Sequence, residues 1–132
     1  MKKLFIAAIM SLSLLTTSTF AEIKMGIILG FTGPIESLTP AMAASAELAF
    51  KEASDSGSLL GGEKITPVRA DSTCVDSAAA TTAAEGLVAE GVAAIMGADC
   101  SGVTGAIATN VAVPNGVVTV SYTHLRAHEN SL

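Results

Sequence analysis

The sequence has 132 residues, half of them hydrophobic, and 12 acidic side chains against 7 basic ones give it a formal charge of −5. That balance argues against a nucleic acid or an anionic membrane surface as partner, because both favour a basic face. With no Trp, one Tyr and 12 Gly, helices are expected to pack closely on a sheet rather than around a large aromatic core.

Lys2 and Lys3 precede an apolar run over residues 4–15, broken only by Ser11 and Ser13. Residues 16–21 form a small-residue exit, with Thr19 and Ala21 where a signal peptidase reads. Residues 1–21 are therefore expected to be a secretory signal peptide cut between Ala21 and Glu22. The run is too short to span a bilayer comfortably, and no Cys follows the cut to carry a lipid. The mature chain is expected to be exported and soluble. Lys2 and Lys3 are two of the 7 basic residues, so their removal moves the formal charge from −5 to −7.

Ile23-Lys24-Met25-Gly26-Ile27-Ile28-Leu29 is nearly continuous in its hydrophobicity, as in a parallel strand covered on both faces. Gly30-Phe31-Thr32-Gly33-Pro34 breaks it, since Pro34 cannot continue a ladder. Thr39-Pro40 predicts a helix start, with Thr39 as N-cap and Pro40 at the first helical position. Met42, Ala46, Ala49, Phe50 and Ala53 recur at helical spacing as its core stripe, while Glu47 and Lys51 form an outward i,i+4 pair. Ser56-Gly57 ends this helix and Gly61-Gly62 marks a turn. Residues 65–71 predict a weaker strand, which Pro67 places at an edge or a strand start. Asp76 or Ser77 caps a second helix that buries Ala80, Ala83, Ala84, Leu87 and Val88, and Gly91 stands at its C′ position. A third strand over 92–96, a small-residue helix over 103–113, a turn at Pro114-Asn115-Gly116 and a fourth strand over 117–120 complete the order.

Strands alternating with helices through short connections mean βαβ units, right-handed crossovers and a parallel sheet. The fold class is α/β, a doubly wound parallel sheet. Ligands in such sheets bind beyond the carboxyl ends of the strands, where the loops 32–38, 72–76 and 99–104 come together. The stretch 96–105 is the most suggestive, because a helix N-terminus offers unpaired N–H groups and partial positive charge to a carboxylate or phosphate. Ser101 can cap that helix, and Ser101 and Thr104 can turn hydroxyls toward a ligand. A plain capped helix start without a ligand is the alternative. Cys74 and Cys100 each follow a predicted strand, and in an exported chain such a pair points to a disulfide. A zinc site or a thiol nucleophile would need a nearby His or further ligands, and none is present.

Catalytic arrangements are missing. Gly26, Gly30 and Gly33 are spaced G-x-x-x-G-x-x-G rather than G-x-G-x-x-G, and no Gly-Lys-Ser/Thr follows. No His lies between residues 22 and 120, so no Ser/His/Asp set forms there. Asp71 and Asp99 could pair as acid and base, but loop carboxylates more often serve as caps and solvated charges. His124 and His128 could share a helix face, yet a structural metal site normally needs four ligands. No cofactor and no metal are expected.

The ordered set of Ile23-Lys24-Met25-Gly26-Ile27, Thr32-Gly33-Pro34, Ala46-Glu47-Leu48-Ala49, Leu60-Gly61-Gly62, Asp71 with Cys74, Gly86-Leu87-Val88, and Ile95-Met96-Gly97 before Cys100-Ser101 resembles a known family. Over about residues 22–120 it is similar to the N-terminal part of lobe 1 of periplasmic branched-chain amino-acid binding proteins, the type I solute-binding components of ABC importers. The resemblance implies a Rossmann-like lobe of a periplasmic, two-lobed, non-enzymatic protein. Such a protein closes on a small amino-acid ligand and docks on an inner-membrane ABC permease. It implies a Cys74–Cys100 disulfide, contact of Ser101 with the ligand's charged main-chain groups, and a place for Leu38 near the ligand's apolar tail. The part given to Thr104 follows from helix geometry alone. A ligand-sensing receptor ectodomain is one alternative, and a nucleotide-binding or enzyme module is another.

Two features depart from the family pattern. Its members are considerably longer, so the chain is expected to be an incomplete fragment without the second lobe. After Val120 they continue Ser-Pro, whereas here Ser121 leads into Tyr122-Thr123-His124, and this end holds both His and the only Tyr. Residues 121–132 are therefore expected to be a tail foreign to the family, disordered or artefactual, left by an out-of-frame or cloning-derived end on a shortened gene.

Overall fold

The computed structural model describes residues 22–59 and 61–121. The expected leader, the segment 122–132 with His124 and His128, and Leu60 lie outside the described residues. The elements are β1 (Glu22–Leu29), α1 (Thr39–Asp55), β2 (Lys64–Asp71), α2 (Ser77–Ala89), β3 (Ala94–Gly97) and α3 (Ser101–Ile107). A π-helical turn (Ala108–Ala112), α4 (Val113–Asn115) and β4 (Val118–Val120) follow. The strands form one parallel sheet in the order β2-β1-β3-β4.

The apolar run of β1 puts that strand in the middle of the sheet, where both faces are covered. Ile27, Ile28 and Leu29 are fully buried and point alternately to opposite sides. Ile27 and Leu29 pack on Ala43 and Ala46 of α1, with Met42, Phe50 and Met96 around them. Ile28 faces the other layer, among Ala80, Ala84 and Leu87 of α2 and Val103 and Ile107 of α3. Burial of each such side chain is worth about 1.5–3 kcal/mol, so the three-layer sandwich is set mainly by this one strand and the Ala-rich helix faces on it. The α/β parallel architecture read from the sequence is the one the chain forms, and β2 with Pro67 lies at the sheet edge.

α2 is legible residue by residue. Asp76 Oδ1 accepts from the N–H groups of Ala78 and Ala79 at 2.9 and 3.0 Å, which satisfies two donors of the first turn. At the other end the Gly91 N–H donates to Val88 O at 2.9 Å and the Val92 N–H to Leu87 O at 3.3 Å, with Gly91 at φ +78°. This is a Schellman closure, and it uses Val92 and Ala93 for the exit. β3 consequently begins at Ala94, two residues later than expected from hydrophobicity.

α1 corrects the sequence reading in three respects. Thr39 is its first helical residue rather than its N-cap, which is Leu38. The buried Thr39 hydroxyl instead donates to Gly30 O at 3.1 Å, fastening the helix to the end of β1. The core face is Thr39, Ala43 and Ala46, while Ala49 is exposed and Ala53 only half-buried. Glu47 pairs not with Lys51 but with Arg69 of β2, whose Nε and Nη2 donate to its carboxylate at 2.6 and 2.8 Å. A guanidinium fork matches a carboxylate better than an ammonium does, and it also lies 5.6 Å above the Phe31 ring. Lys51 turns to Asp55.

The helix expected over 103–113 starts earlier, at Ser101, and widens over Ala108–Ala112, where the Val113 N–H reaches Ala108 O. Pro114 explains the widening, because it has no N–H to give and its ring would crowd the preceding turn of a tight helix. Part of the predicted turn is thus the helical turn α4, closed by Gly116 at φ +63°. No described helix is long and apolar enough to cross a membrane.

Candidate ligand-binding site

The carboxyl ends of β1, β2 and β3 deliver Gly30, Ser72 and Ala98 to one rim of the sheet. The rim is fastened by carboxylates. Asp99 Oδ2 accepts the Gly30 N–H at 2.9 Å, and its Oδ1 accepts the hydroxyl of the buried Ser72 at 3.4 Å. Asp71 accepts the Thr32 hydroxyl at 2.6 Å, the Thr32 N–H at 3.3 Å and the Thr73 N–H at 2.8 Å. Cys74 and Cys100 form a disulfide with a Cα–Cα separation of 5.3 Å, joining the β2–α2 loop to the start of α3. From the other side, the Ser121 and Thr119 hydroxyls donate to Ala98 O and Gly97 O at 2.7 and 3.0 Å.

The site residues named from the sequence fall on this rim unequally. Ser101 opens α3 and is exposed, but it does not cap the helix; Cys100 holds the N-cap position and makes no side-chain capping bond. With the helix starting at Ser101, its hydroxyl stands in the first turn instead of beneath it. Thr104 is 1% exposed, and its hydroxyl proton goes back to Cys100 O at 2.8 Å. It is directed into the helix rather than outward, which corrects the expectation of a second outward hydroxyl. Leu38 is 60% exposed at the end of the β1–α1 loop. Among the described residues no three His, Cys, Asp or Glu side chains gather in a way that could hold a metal ion.

Charge on the rim is one-sided. Glu36, Asp71, Asp76 and Asp99 stand on or beside the three loops, and stretches 30–38, 71–77 and 97–105 contain no Lys, Arg or His. Burial pushes the Asp71 carboxyl up, but bonds from the Thr32 hydroxyl and from the N–H groups of Thr73, Thr32 and Phe31 outweigh it. They hold the group below its ordinary value of 3.8.

A parallel sheet with this loop cluster is shared by many proteins; a sequence profile decides among them. The profile of the family described as Periplasmic binding protein matches residues 22–131. The chain belongs to this family. A comparison with curated proteins gives no match. Among solved structures, the periplasmic binding protein fold recurs in the branched-chain amino acid transporter substrate-binding protein LivJ from Streptococcus pneumoniae, determined in complex with isoleucine. It is 29% identical with a TM-score of 0.68, over 76% of this chain and 28% of that one. The leucine-binding protein LivK from Thermotoga maritima is 29% identical with a TM-score of 0.64, over 75% and 27%. A solute-binding protein of an ABC transporter from R. palustris, in complex with benzoate, is 26% identical with a TM-score of 0.64, over 76% and 27%. The chain spans 28% or less of the length of these three proteins.

The sequence reading gives Asp71 and Asp99 as loop carboxylates serving as caps or solvated charges, but not the bonds by which they tie separate loops together. Their partners lie 39 and 69 positions away in the chain, and no local period reports such a pair. The only signal is an Asp at or just past a strand end. Because the folded-state value of Asp71 is depressed, its stabilisation is fully present above the ordinary carboxylate range and is lost as pH falls below it. Urea unfolding at neutral pH and near pH 3 measures the loss. Asp71→Asn is expected to flatten this part of the pH dependence, and an unchanged acid limb would contradict the assignment.

Proposed function

We propose that the chain is substrate-binding material of an ABC importer, supplying one wall of a site for a branched-chain amino acid or a closely related small ligand. In this reading residues 1–21 export it to the periplasm, residues 22–120 form the first part of a lobe, and an inner-membrane permease receives the closed protein. It binds and releases its ligand without chemistry. The family match supports the reading, together with the ligands in the names of similar proteins, isoleucine, leucine and benzoate.

The observation that carries the choice of ligand is the charge of the rim. With four acidic groups on or beside the loops and no basic side chain in them, and with the Arg69 guanidinium beside Phe31 already paired to Glu47, a bare carboxylate would be met mainly by the N–H groups and the hydroxyl at the start of α3. An α-amino acid brings its own ammonium, so its net charge is near zero and the acidic rim does not repel it. Ser101 is assigned to the ligand's main-chain groups and Leu38 to its apolar tail; Thr104 shapes the helix start from beneath.

Amide chemical-shift titration of the chain with L-isoleucine, L-leucine and benzoate tests this. The amino acids are expected to move resonances in residues 30–38, 72–74 and 99–104 with affinity on the order of 1 mM, as suits a single wall. Benzoate is expected to move them less. Shifts confined to other regions, or benzoate bound more tightly than isoleucine, would contradict the proposal.

A further inference from the structure

We propose that Asp99 is a positioning residue of this rim, coupling the β1–α1 and β2–α2 loops to the start of α3; the inference rests on the binding reading above. Its backbone is pinned on both sides. Ala98 before it is fully buried and accepts the Ser121 hydroxyl, and Cys100 after it is held by the disulfide to Cys74. From that fixed point one carboxylate oxygen takes the Gly30 N–H, the first residue beyond β1, and the other takes the hydroxyl of Ser72, the first residue beyond β2.

Gly30 carries the coupling onward. Its carbonyl accepts the buried Thr39 hydroxyl at the first residue of α1. The line Asp99–Gly30–Thr39 therefore fixes both ends of the loop that presents Leu38, and relates them to the turn that presents Ser101. A carboxylate acceptor makes this bond stronger than a neutral one would. The disulfide ties the β2–α2 loop to α3 independently, so the loop that depends most on Asp99 is the one bearing Leu38.

The test combines amide hydrogen exchange at Gly30 with the L-isoleucine titration, on the full chain and on Asp99→Ala, Asp99→Asn and Asp76→Ala. Loss of a charge-assisted bond is expected to raise Gly30 exchange by about tenfold or more in Asp99→Ala and by less in Asp99→Asn, which keeps one acceptor. Isoleucine-induced shifts at Leu38 should weaken in the same order. Asp76→Ala removes the cap of α2, so it is expected to lower the melting temperature while leaving Gly30 exchange unchanged; this separates positioning from general loss of stability. Gly30 exchange at the wild-type rate in Asp99→Ala overturns the proposal, and if that variant does not fold, the wild-type rate in Asp99→Asn overturns it. Absence of isoleucine shifts in the wild-type chain overturns the ligand reading alone, and the Gly30 exchange ratio then decides the role of Asp99 by itself.

Discussion

Gly97→Ala is expected to destabilise the fold severely. Gly97 ends β3 opposite Ile28 in the ladder between β3 and the central strand, and it adopts φ +125°. In that mirror-image region a Cβ points not out of the sheet but toward the neighbouring strand. An added Cβ would lie 1.9 Å from Ile28 O, 2.9 Å from Ile28 C and 3.0 Å from Ile28 Cγ2. The obstacle is main chain in the most buried strand of the protein, so no side-chain rotation relieves it. Strain and overpacking together are expected to cost more than about 4 kcal/mol, a large part of the 5–15 kcal/mol typical of a whole domain. Gly86→Ala provides the contrast. Gly86 lies within α2, and a Cβ there meets nothing within 4 Å. Removing a helix-interior glycine should raise stability by about 0.5–1 kcal/mol. Circular dichroism melts and soluble yield of the two variants measure both effects. A Gly97→Ala chain that melts near the wild-type temperature would refute the close approach of β3 to Ile28.

The contrast between α1 and α2 shows what the sequence could and could not carry. α2 has a capping Asp76, one large anchor in Leu87 and a Gly at its exit, so its ends and its buried face follow from local chemistry. In α1 the alanines at 41, 43, 44, 46, 49 and 53 fall on every side of the helix and no capping side chain marks its start, so its small residues do not by themselves define a sharp face. Phe50 and Met42 fixed the side roughly, but Ala43 rather than Ala49 proved to be the residue against the sheet. The same lack of contrast blurred the start of α3 at Ser101, whose first turn contains two residues with no strong preference. β1 and the edge position of β2 were legible because burial on both faces and a proline each leave a local mark. The fastening of the rim left none. Asp99 and Gly30, Asp71 and Thr32, and Glu47 and Arg69 meet only because the parallel sheet places separate loop ends and edges side by side. Of the residues proposed for the site, the position of Ser101 beyond β3 could be read from the strand–loop–helix order, whereas the inward turn of the Thr104 hydroxyl depends on which residue begins the helix.

Loss of the Cys74–Cys100 cross-link is the second large expected effect. The bond joins residues 26 positions apart and encloses α2 and β3. In the chain-entropy account a closed loop of this size is worth about 3 kcal/mol through restriction of the unfolded chain. For a domain of this length that corresponds to a fall in melting temperature of more than about 10 °C. The folded side of the balance changes too. Thr73 and Cys74 both hold positive φ, +56° and +69°, although neither is glycine. The Asp71 bond to the Thr73 N–H and the cross-link at Cys74 together keep this turn in place. Without the cross-link the turn can relax toward ordinary backbone conformations, and Ser72 remains held by its bond to Asp99. Cys74→Ser with Cys100→Ser should therefore lower stability strongly and make residues 73–75 mobile, while the Gly30–Asp99 bond persists. Comparing melts with and without reductant, in the wild type and in the double variant, separates the two. The wild type should lose its advantage on reduction and the double variant should not respond. Equal melting of the oxidised wild type and the double variant would show that the three strand-end loops are held by the sheet and the carboxylates alone.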